Sequence, residues 1–184
     1  MPMKMKRYYY LIIIGAVAPL LLVHCIAASN EPSKMSSLFP GYHMVGLREL
    51  DSATSDFFLK NNLKNNPGTI EADFNGDDYL DYAVLVRRDN SNETKLAIVL
   101  CAGSSSCEIT YQLDVSDQYD SVYLTAVKRG TILTQAEAID TKDLLSDRIT
   151  LEYDGVKLTY FGKAAVVLYW DKKTQKIRTI QTED

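Results

Sequence analysis

Beyond Gly68 the sequence alternates short apolar runs with turn-forming residues, and this pattern constrains the fold more than any other feature. Runs of four to eight residues that are rich in β-branched and aromatic side chains and bounded by Gly, Asn, Asp and Ser clusters are typical of β-strands. Twelve Tyr and five Phe suit such a chain. Nine strands are predicted: Thr69–Asp73, Asp81–Arg88, Thr94–Cys101, Cys107–Leu113, Ser121–Lys128, Arg148–Tyr153, Val156–Phe161, Ala164–Trp170 and Lys176–Thr182.

One helix is predicted before these strands, over Arg48–Asn62. Leu50, Ala53, Phe57 and Phe58 recur there at helical spacing, and the Asn, Pro and Gly residues that follow favour its end. The Pro, Gly and Ser residues of 29–46 indicate a linker. We therefore expect a single β-rich domain over 47–184.

The expected fold is α+β and mainly antiparallel, with one N-terminal helix packed on a hairpin-rich sheet or small sandwich. No repeat of about 20–50 residues is visible, so a full propeller is not expected from this chain. Asp154-Gly155 lies between two apolar runs, which is a strong hairpin signal.

The first 28 residues have the pattern of a signal peptide. Lys4, Lys6 and Arg7 precede an apolar run from Tyr8 to Val23, and the small residues Ala27 and Ala28 favour cleavage nearby. The run is shorter than the ~20 residues that a spanning helix needs. Two alternatives stay open, an uncleaved membrane anchor over 8–28 and a lipid anchor on Cys25. The chain is expected to be exported, to the periplasm or the extracellular space.

The two remaining cysteines, Cys101 and Cys107, favour a disulfide in an exported chain. Strand-like sequence flanks both, so the bond would tie a hairpin across its mouth. A metal or redox pair is the alternative, but the spacing is not Cys-x-x-Cys.

The charge balance argues against a nucleic-acid partner. The first 28 residues contain three bases and no acid, so the rest of the chain has 17 bases against 24 acids. Nucleic-acid binders usually present a basic face. The one basic cluster, formed by Lys172, Lys173, Lys176 and Arg178, is expected at a hairpin tip, where it could contact an acidic partner.

One stretch, residues 73–81, predicts a cation site. Oxygen-bearing side chains stand at its first, third, fifth and ninth positions, and Gly76 permits a tight turn. Ca²⁺ takes six to eight oxygen ligands in variable geometry. The predicted ligands are the side chains of Asp73, Asn75, Asp77 and Asp81 and the backbone carbonyl of Tyr79. The alternative is a polar β-turn, because Asn-Gly flanked by Asp is a common turn composition.

The sequence Asp73-Phe-Asn-Gly-Asp77-x-x-x-Asp81 followed by an apolar strand resembles one FG-GAP repeat of integrin-like and VCBS-type extracellular proteins. The resemblance covers about twenty residues, and it implies a loop that binds Ca²⁺ between two strands. Asp78 stands where that family usually has Gly. The loop is not an EF-hand, since its twelfth position is Val84 rather than Glu.

Other residues are weaker candidates. His43 with one of Ser104–Ser106 lacks the sequence context of a nucleophile, and the carboxylate pairs Glu137/Asp140 and Asp143/Asp147 are as expected of surface charge. An aromatic platform for sugars is possible from five residues: Tyr123, Tyr153, Tyr160, Tyr169 and Trp170.

We therefore expect an exported, non-enzymatic module that binds a protein or glycan and contains one Ca²⁺ loop. The first alternative is an inhibitor or immunity protein that blocks a cell-wall-directed toxin or hydrolase by inserting a loop into its active site. The second is a hydrolase that uses carboxylates. A membrane contact is expected only through the N-terminal segment.

Overall fold

The computed structural model describes residues 31–61, 63, 66–103, 106–135 and 148–183. Two α-helices and eleven strands follow in chain order: α1 Glu31–Leu38, β1 Tyr42–Met44, α2 Ser52–Lys60, β2 Thr69–Ala72, β3 Asp81–Arg88, β4 Thr94–Cys101, β5 Cys107–Asp114, β6 Val122–Val127, β7 Ile132–Thr134, β8 Arg148–Thr150, β9 Gly155–Tyr160, β10 Ala164–Asp171 and β11 Lys176–Glu183. Short 3-10 helices lie at Leu47–Glu49 and Ser116–Gln118. The expected signal peptide lies outside the described residues.

The strands form two open antiparallel sheets and a separate hairpin. The first sheet has the order β1-β3-β4-β5, with β2 also paired to β3, and the second has the order β11-β10-β9-β6. Among the described strands, β7 and β8 pair only with each other. The expected class, a mainly antiparallel β protein that is not a propeller, is confirmed.

The two sheets share one hydrophobic core. In each strand alternate side chains face the same side, and the inward set contains the largest fully buried residues of both sheets. From the first sheet these are Leu85, Leu96 and Ile98, and from the second they are Leu124, Leu158 and Leu168. Burial of a Leu or Ile side chain contributes about 1.5–3 kcal/mol, so this cluster stabilises both sheets together.

The outer face of the first sheet is also covered, which corrects the linker expected over 29–46. Met35 of α1 and the adjacent Phe39 are buried against Val84, Val86 and Val99. Strand β1 pairs with the end of β3. Pro40 and Gly41 lie in the turn between α1 and β1, and the domain already includes Glu31–Met44.

The outer face of the second sheet packs against the β7–β8 hairpin. Leu133 and Leu151 from the hairpin region are buried with Val167 and Ile180 of the sheet. The hairpin therefore acts as a short cover over one part of that sheet.

The prediction of a hairpin at Asp154-Gly155 is wrong. Strand β8 pairs with β7, while β9 pairs with β6 and β10. The carboxylate of Asp154 instead accepts hydrogen bonds from Arg129 N (2.9 Å) and Lys128 Nζ (2.7 Å). The Asp-Gly pair connects strands of different sheets, because this contact to the β6–β7 turn fixes the chain there.

Helix α2 is shorter than expected and buries a different face. Asp51 is its N-cap, accepting hydrogen bonds from the backbone N–H and hydroxyl of Thr54 (2.7 and 3.0 Å). Thr54 and Phe58 are buried, whereas Ala53 and Phe57 are exposed. Since Asp51 satisfies the Thr54 hydroxyl, a polar residue takes the inward position that the apolar pattern assigned to Ala53.

Candidate functional site

The predicted cation loop closes the β2–β3 hairpin. Asp73 follows the last residue of β2, and Asp81 is the first residue of β3, opposite Ala72. Phe74 is buried in the shared core. The loop is therefore anchored at both strand ends and by one core side chain, while its other residues face solvent.

Asp73 organises the first half of this loop. Its Oδ1 accepts hydrogen bonds from the backbone N–H groups of Gly76 (2.6 Å) and Asp77 (3.2 Å), and its Oδ2 accepts one from Asp78 N (3.0 Å). Short Asp side chains commonly stabilise turns in this way.

Asn75 and Asp77 organise the second half. Asn75 Oδ1 accepts from Asp77 N (3.1 Å), Asn75 Nδ2 donates to Asp77 Oδ2 (2.9 Å), and Asp77 Oδ1 accepts from Tyr79 N (3.0 Å). All these groups are outside the core, so the polar contacts, and not apolar burial, hold the backbone here.

Asp81 is fully buried and joins the loop to the neighbouring strand. Its Oδ2 accepts from Phe74 N and its Oδ1 from Cys101 N, both at 2.9 Å. Burial, together with the negative charges of Asp77 and Asp73, raises the pKa of Asp81 to about 6 against the opposing effect of these hydrogen bonds. The three carboxylates therefore act on one another electrostatically.

Two left-handed residues shape the turn. Gly76 has φ +81°, and an added Cβ would lie 2.0 Å from Tyr153 Cε1. Asp78, which stands in place of the glycine usual in FG-GAP repeats, has φ +67°. Asp tolerates this region better than most residues, and the bond from its N–H to Asp73 supports it.

The donor chemistry of the loop fits a hard cation, but the described side chains do not converge on one. Asp73, Asn75, Asp77 and Asp81 offer only oxygen acceptors, apart from the Asn75 amide, and an ionised carboxylate has about four acceptor positions. None of these carboxylates is ion-paired with a base in the part of the chain that the structure describes. Within that part, no three or more His, Cys, Asp or Glu side chains are grouped to hold a metal. Coordination would thus require Asn75 and Asp77 to turn from each other.

The predicted disulfide is present beside this loop. Cys101 and Cys107 are bonded, with their Cα atoms 4.0 Å apart, and they are opposite partners in the β4–β5 ladder. Because Cys101 N also donates to Asp81, the disulfide hairpin and the loop share one hydrogen-bonded connection.

A second feature is a cleft of about 550 Å³ on the outer face of the second sheet. Tyr169, Asp171 and Arg178 line it, and Asp171 Oδ2 lies 2.9 Å from Arg178 Nε. Ile149 and Ile180 contribute its apolar part. The sequence singled out the aromatic and basic residues of this cleft, but nothing in it indicated that β8 packs on the same face of the second sheet.

The five aromatic residues do not form one platform. Tyr123 contacts Phe57 and Phe58, Tyr153 lies against Gly76, and Tyr160 packs on the core. Trp170 also packs on the core, from the opposite face of β10 to Tyr169. Tyr169 and Trp170 both line the cleft, and Tyr169 is the one on the same face of the sheet as Arg178.

The remaining candidates stay apart. His43 contacts Asp89 and Glu49 through its two ring nitrogens, each at 2.8 Å, and no serine is bonded to it in the described part of the chain. Ser104, Ser105 and the pairs Glu137/Asp140 and Asp143/Asp147 lie outside the described residues.

Comparison with protein-family models, with curated proteins and with solved structures gives no match for this chain. The FG-GAP resemblance therefore remains a prediction from residues 73–81. Among the helices described, none is long and apolar enough to cross a membrane.

Proposed function

We propose that this chain is an exported, non-enzymatic module that binds a protein or glycan partner, and that Ca²⁺ bound by the 73–81 loop stabilises its binding surface. The side chains of Asp73, Asn75, Asp77 and Asp81 and the carbonyl of Tyr79 are the proposed ligands. One observation carries the proposal: the loop with the oxygen donors also presents Tyr79 and Leu80 to solvent, 50% and 54% exposed.

The physical argument is one of preorganisation. A loop already held by side-chain hydrogen bonds loses less conformational entropy when a partner binds. Tyr residues are frequent in binding hot spots because their large ring is rigid and amphipathic. A cation would reduce the repulsion among the carboxylates of Asp73, Asp77 and Asp81, and so hold the same turn more firmly.

The test of the Ca²⁺ site is thermal unfolding of the purified protein in EDTA and then with ~10 mM Ca²⁺. Extracellular Ca²⁺ modules often have dissociation constants of ~0.1–1 mM. Mass action then gives roughly 1.4–2.7 kcal/mol of stabilisation, which is a midpoint shift of about 3–10 °C at this size.

Asp77→Asn separates a cation site from a polar turn. The Asn side chain retains an acceptor for Tyr79 N but removes the charge and the acceptor for Asn75 Nδ2, so the turn persists in EDTA with one hydrogen bond fewer while the Ca²⁺-dependent shift is lost. Asp117→Asn, at an exposed position outside the loop, is the matched control and keeps the shift. Equal shifts in both variants, or none in the unsubstituted protein, would remove Ca²⁺ from the proposal.

The exposed pair Tyr79 and Leu80 also favours a second candidate, an inhibitor or immunity protein that inserts this loop into a cell-wall-directed enzyme. Gly103 of the disulfide hairpin lies near the Tyr79 ring, with an ideal Cβ 3.9 Å from Tyr79 Cε1. The loop and Gly103 thus lie at the same end of the first sheet, and the inhibitor would present Tyr79 from there to a cleft in its partner.

Capture from a periplasmic or extracellular extract distinguishes the two. A single stoichiometric hydrolase, retained by the protein but not by its Tyr79→Ala/Leu80→Ala variant, supports the inhibitor. Retention on glycans in place of an enzyme supports the general binding module. Turnover of peptidoglycan by the purified protein would overturn both.

A further inference from the structure

The cleft on the second sheet has an unusual charge for this chain. Lys172, Lys173 and Arg178 line it, with Glu152 and Asp171 as its acids. Lys176 stands opposite Asp171 at the start of β11. Bases therefore outnumber acids here, whereas acids outnumber bases in the chain as a whole.

The charges of this cleft are also arranged so that the bases remain available. Asp171 is occupied by Arg178 Nε, by Lys173 N (2.9 Å) and by the Thr174 hydroxyl (2.8 Å). These hydrogen bonds and the Arg178 charge lower the pKa of Asp171, led by the bond from Thr174. Lys172 and Lys173 are exposed and pair with no acid among the described residues, and Arg178, whose side chain is 47% exposed, is held through its Nε by Asp171. A guanidinium has five N–H donors, so an exposed Arg178 can bind an anion beside this contact.

An aromatic ring and hydroxyl groups accompany these bases. Tyr169 packs against the buried cluster that contains Val167 and Ile180, and it is paired with Arg178 on the same face of the sheet. Burial raises the pKa of the Tyr169 phenol. Thr150 and Thr179 also line the cleft. A fixed aromatic face with surrounding hydrogen-bond groups suits a ligand that has an apolar ring face and many hydroxyls.

We propose that this cleft binds an anionic polysaccharide, with Tyr169 against a sugar ring and with Arg178, Lys172 and Lys173 on its acidic groups. The inference deepens the proposed binding function and rests on it, but it does not depend on the Ca²⁺ loop. A polysaccharide is favoured over an acidic peptide because the fixed ring of Tyr169 lies beside the bases, whereas a peptide of acidic side chains would use the bases alone.

The experiment measures binding of the purified protein to a set of dextrans that share one backbone. Neutral dextran, carboxymethyl-dextran and dextran sulfate of equal length are titrated at low salt, with poly-L-glutamate as the acidic peptide. We expect both charged dextrans to bind about tenfold or more tightly than neutral dextran, since charge-assisted hydrogen bonds are the strong ones. The tighter of the two charged dextrans identifies carboxylate or sulfate as the preferred group.

Two variants and a control test the residues. Lys172→Glu/Lys173→Glu changes only exposed side chains and is expected to weaken the binding of charged dextrans by about tenfold. Lys60→Glu/Lys163→Glu makes the same change of net charge elsewhere and leaves binding within about twofold. Tyr169→Leu retains apolar volume, and it is expected to weaken the binding of the dextrans but not the binding of poly-L-glutamate.

Three results would overturn the inference: equal binding of neutral and charged dextrans, equal effects of the two double variants, or tighter binding of poly-L-glutamate than of either charged dextran. If no dextran binds while the Tyr79→Ala/Leu80→Ala variant loses a captured partner, this inference fails and the proposed function stands. If charged dextrans bind and no partner is captured through Tyr79 and Leu80, this inference stands and the proposed role of the loop fails.

Discussion

Asp81 shows how one residue connects several parts of this protein. Its two carboxylate oxygens accept hydrogen bonds from the loop at Phe74 and from the disulfide hairpin at Cys101. A buried carboxylate without such donors would cost several kcal/mol. The motif therefore has a structural role at its ninth position whether or not a cation is bound.

Gly76 is the loop residue whose substitution we expect to be most damaging. Gly76→Ala places a methyl group against the Tyr153 ring and also strains a left-handed backbone. We expect a loss of about 2–4 kcal/mol in the free energy of unfolding, measured by urea denaturation.

Gly130→Ala is the matched control for that substitution. Gly130 has φ +82°, and nothing lies within 4 Å of its ideal Cβ. The control measures the backbone strain alone, about 1 kcal/mol. Equal losses in the two variants would contradict the close approach of Tyr153 to the loop.

At the scale of elements, the burial of both faces of β3 and β4 explains their sequences. Val84, Ala97 and Val99 point away from the shared core, yet they are fully buried because α1 and Phe39 cover them. Strands buried on both faces have continuous apolar runs instead of alternation. The uninterrupted apolar run Tyr82–Val86 in β3 was thus a sign that another element must cover this sheet.

Met35→Ala tests the packing of α1. Met35 is 5% exposed, and we expect the substitution to lower the free energy of unfolding by about 2–3 kcal/mol. Leu59→Ala, on the 60% exposed side chain of α2, is the control and is expected to change stability by less than about 0.5 kcal/mol. A Met35 effect no larger than that of Leu59 would mean that the segment does not cover the sheet.

At the scale of the whole molecule, a small charge network links β1 to the 3-10 helix Leu47–Glu49 and to the end of β3. His43 of β1 contacts Glu49 and Asp89, and Glu49 Oε1 in turn lies 3.3 Å from Arg87 Nη1. The hydrogen bonds to Asp89 and then to Glu49 raise the pKa of His43. Burial opposes but does not outweigh the effects of Gly46 N, His43 and Arg87, which lower the pKa of Glu49.

The sign of the resulting pH dependence follows from these two shifts. A raised histidine pKa contributes stability that is complete below the unfolded value of about 6.5 and is lost as the pH rises through the folded value. Glu49, whose pKa is lowered, contributes stability above its ordinary pKa, and this stability is lost as the pH falls through the lowered value. His43→Gln should therefore lower the unfolding midpoint more at pH 5.5 than at pH 9.

The expected difference is small, because the His43 side chain is 45% exposed and solvent screens its charge. It is about 1 kcal/mol or less, or a few degrees in a thermal melt. Lys60→Gln, which removes an exposed charge paired with Asp56, should show no change across this range. A His43→Gln effect that is equal at both pH values would contradict the charged network.

Nine of the eleven strands were predictable from the sequence, but β1, β7 and the partner of β8 were not. All nine predicted strands exist to within a few residues, since local alternation and turn residues are encoded locally. The pairing of β8 with β7, and the exclusion of Asp154-Gly155 from a hairpin, depend on contacts with the β6–β7 turn. The same limit applied to α2, where the hydrogen bond of Thr54 to Asp51 made a polar residue suitable for burial.

The sequence by itself determined the antiparallel β class, the disulfide pair and the acidic turn, because each depends on residues that are close along the chain. Only the tertiary structure decided that Glu31–Met44 belongs to the domain, that Tyr153 packs on Gly76, and that Tyr169 and Arg178 share a cleft with Ile149. These contacts join residues far apart in sequence. They form because the apolar faces of both sheets must be covered, and local propensity does not specify which segment covers them.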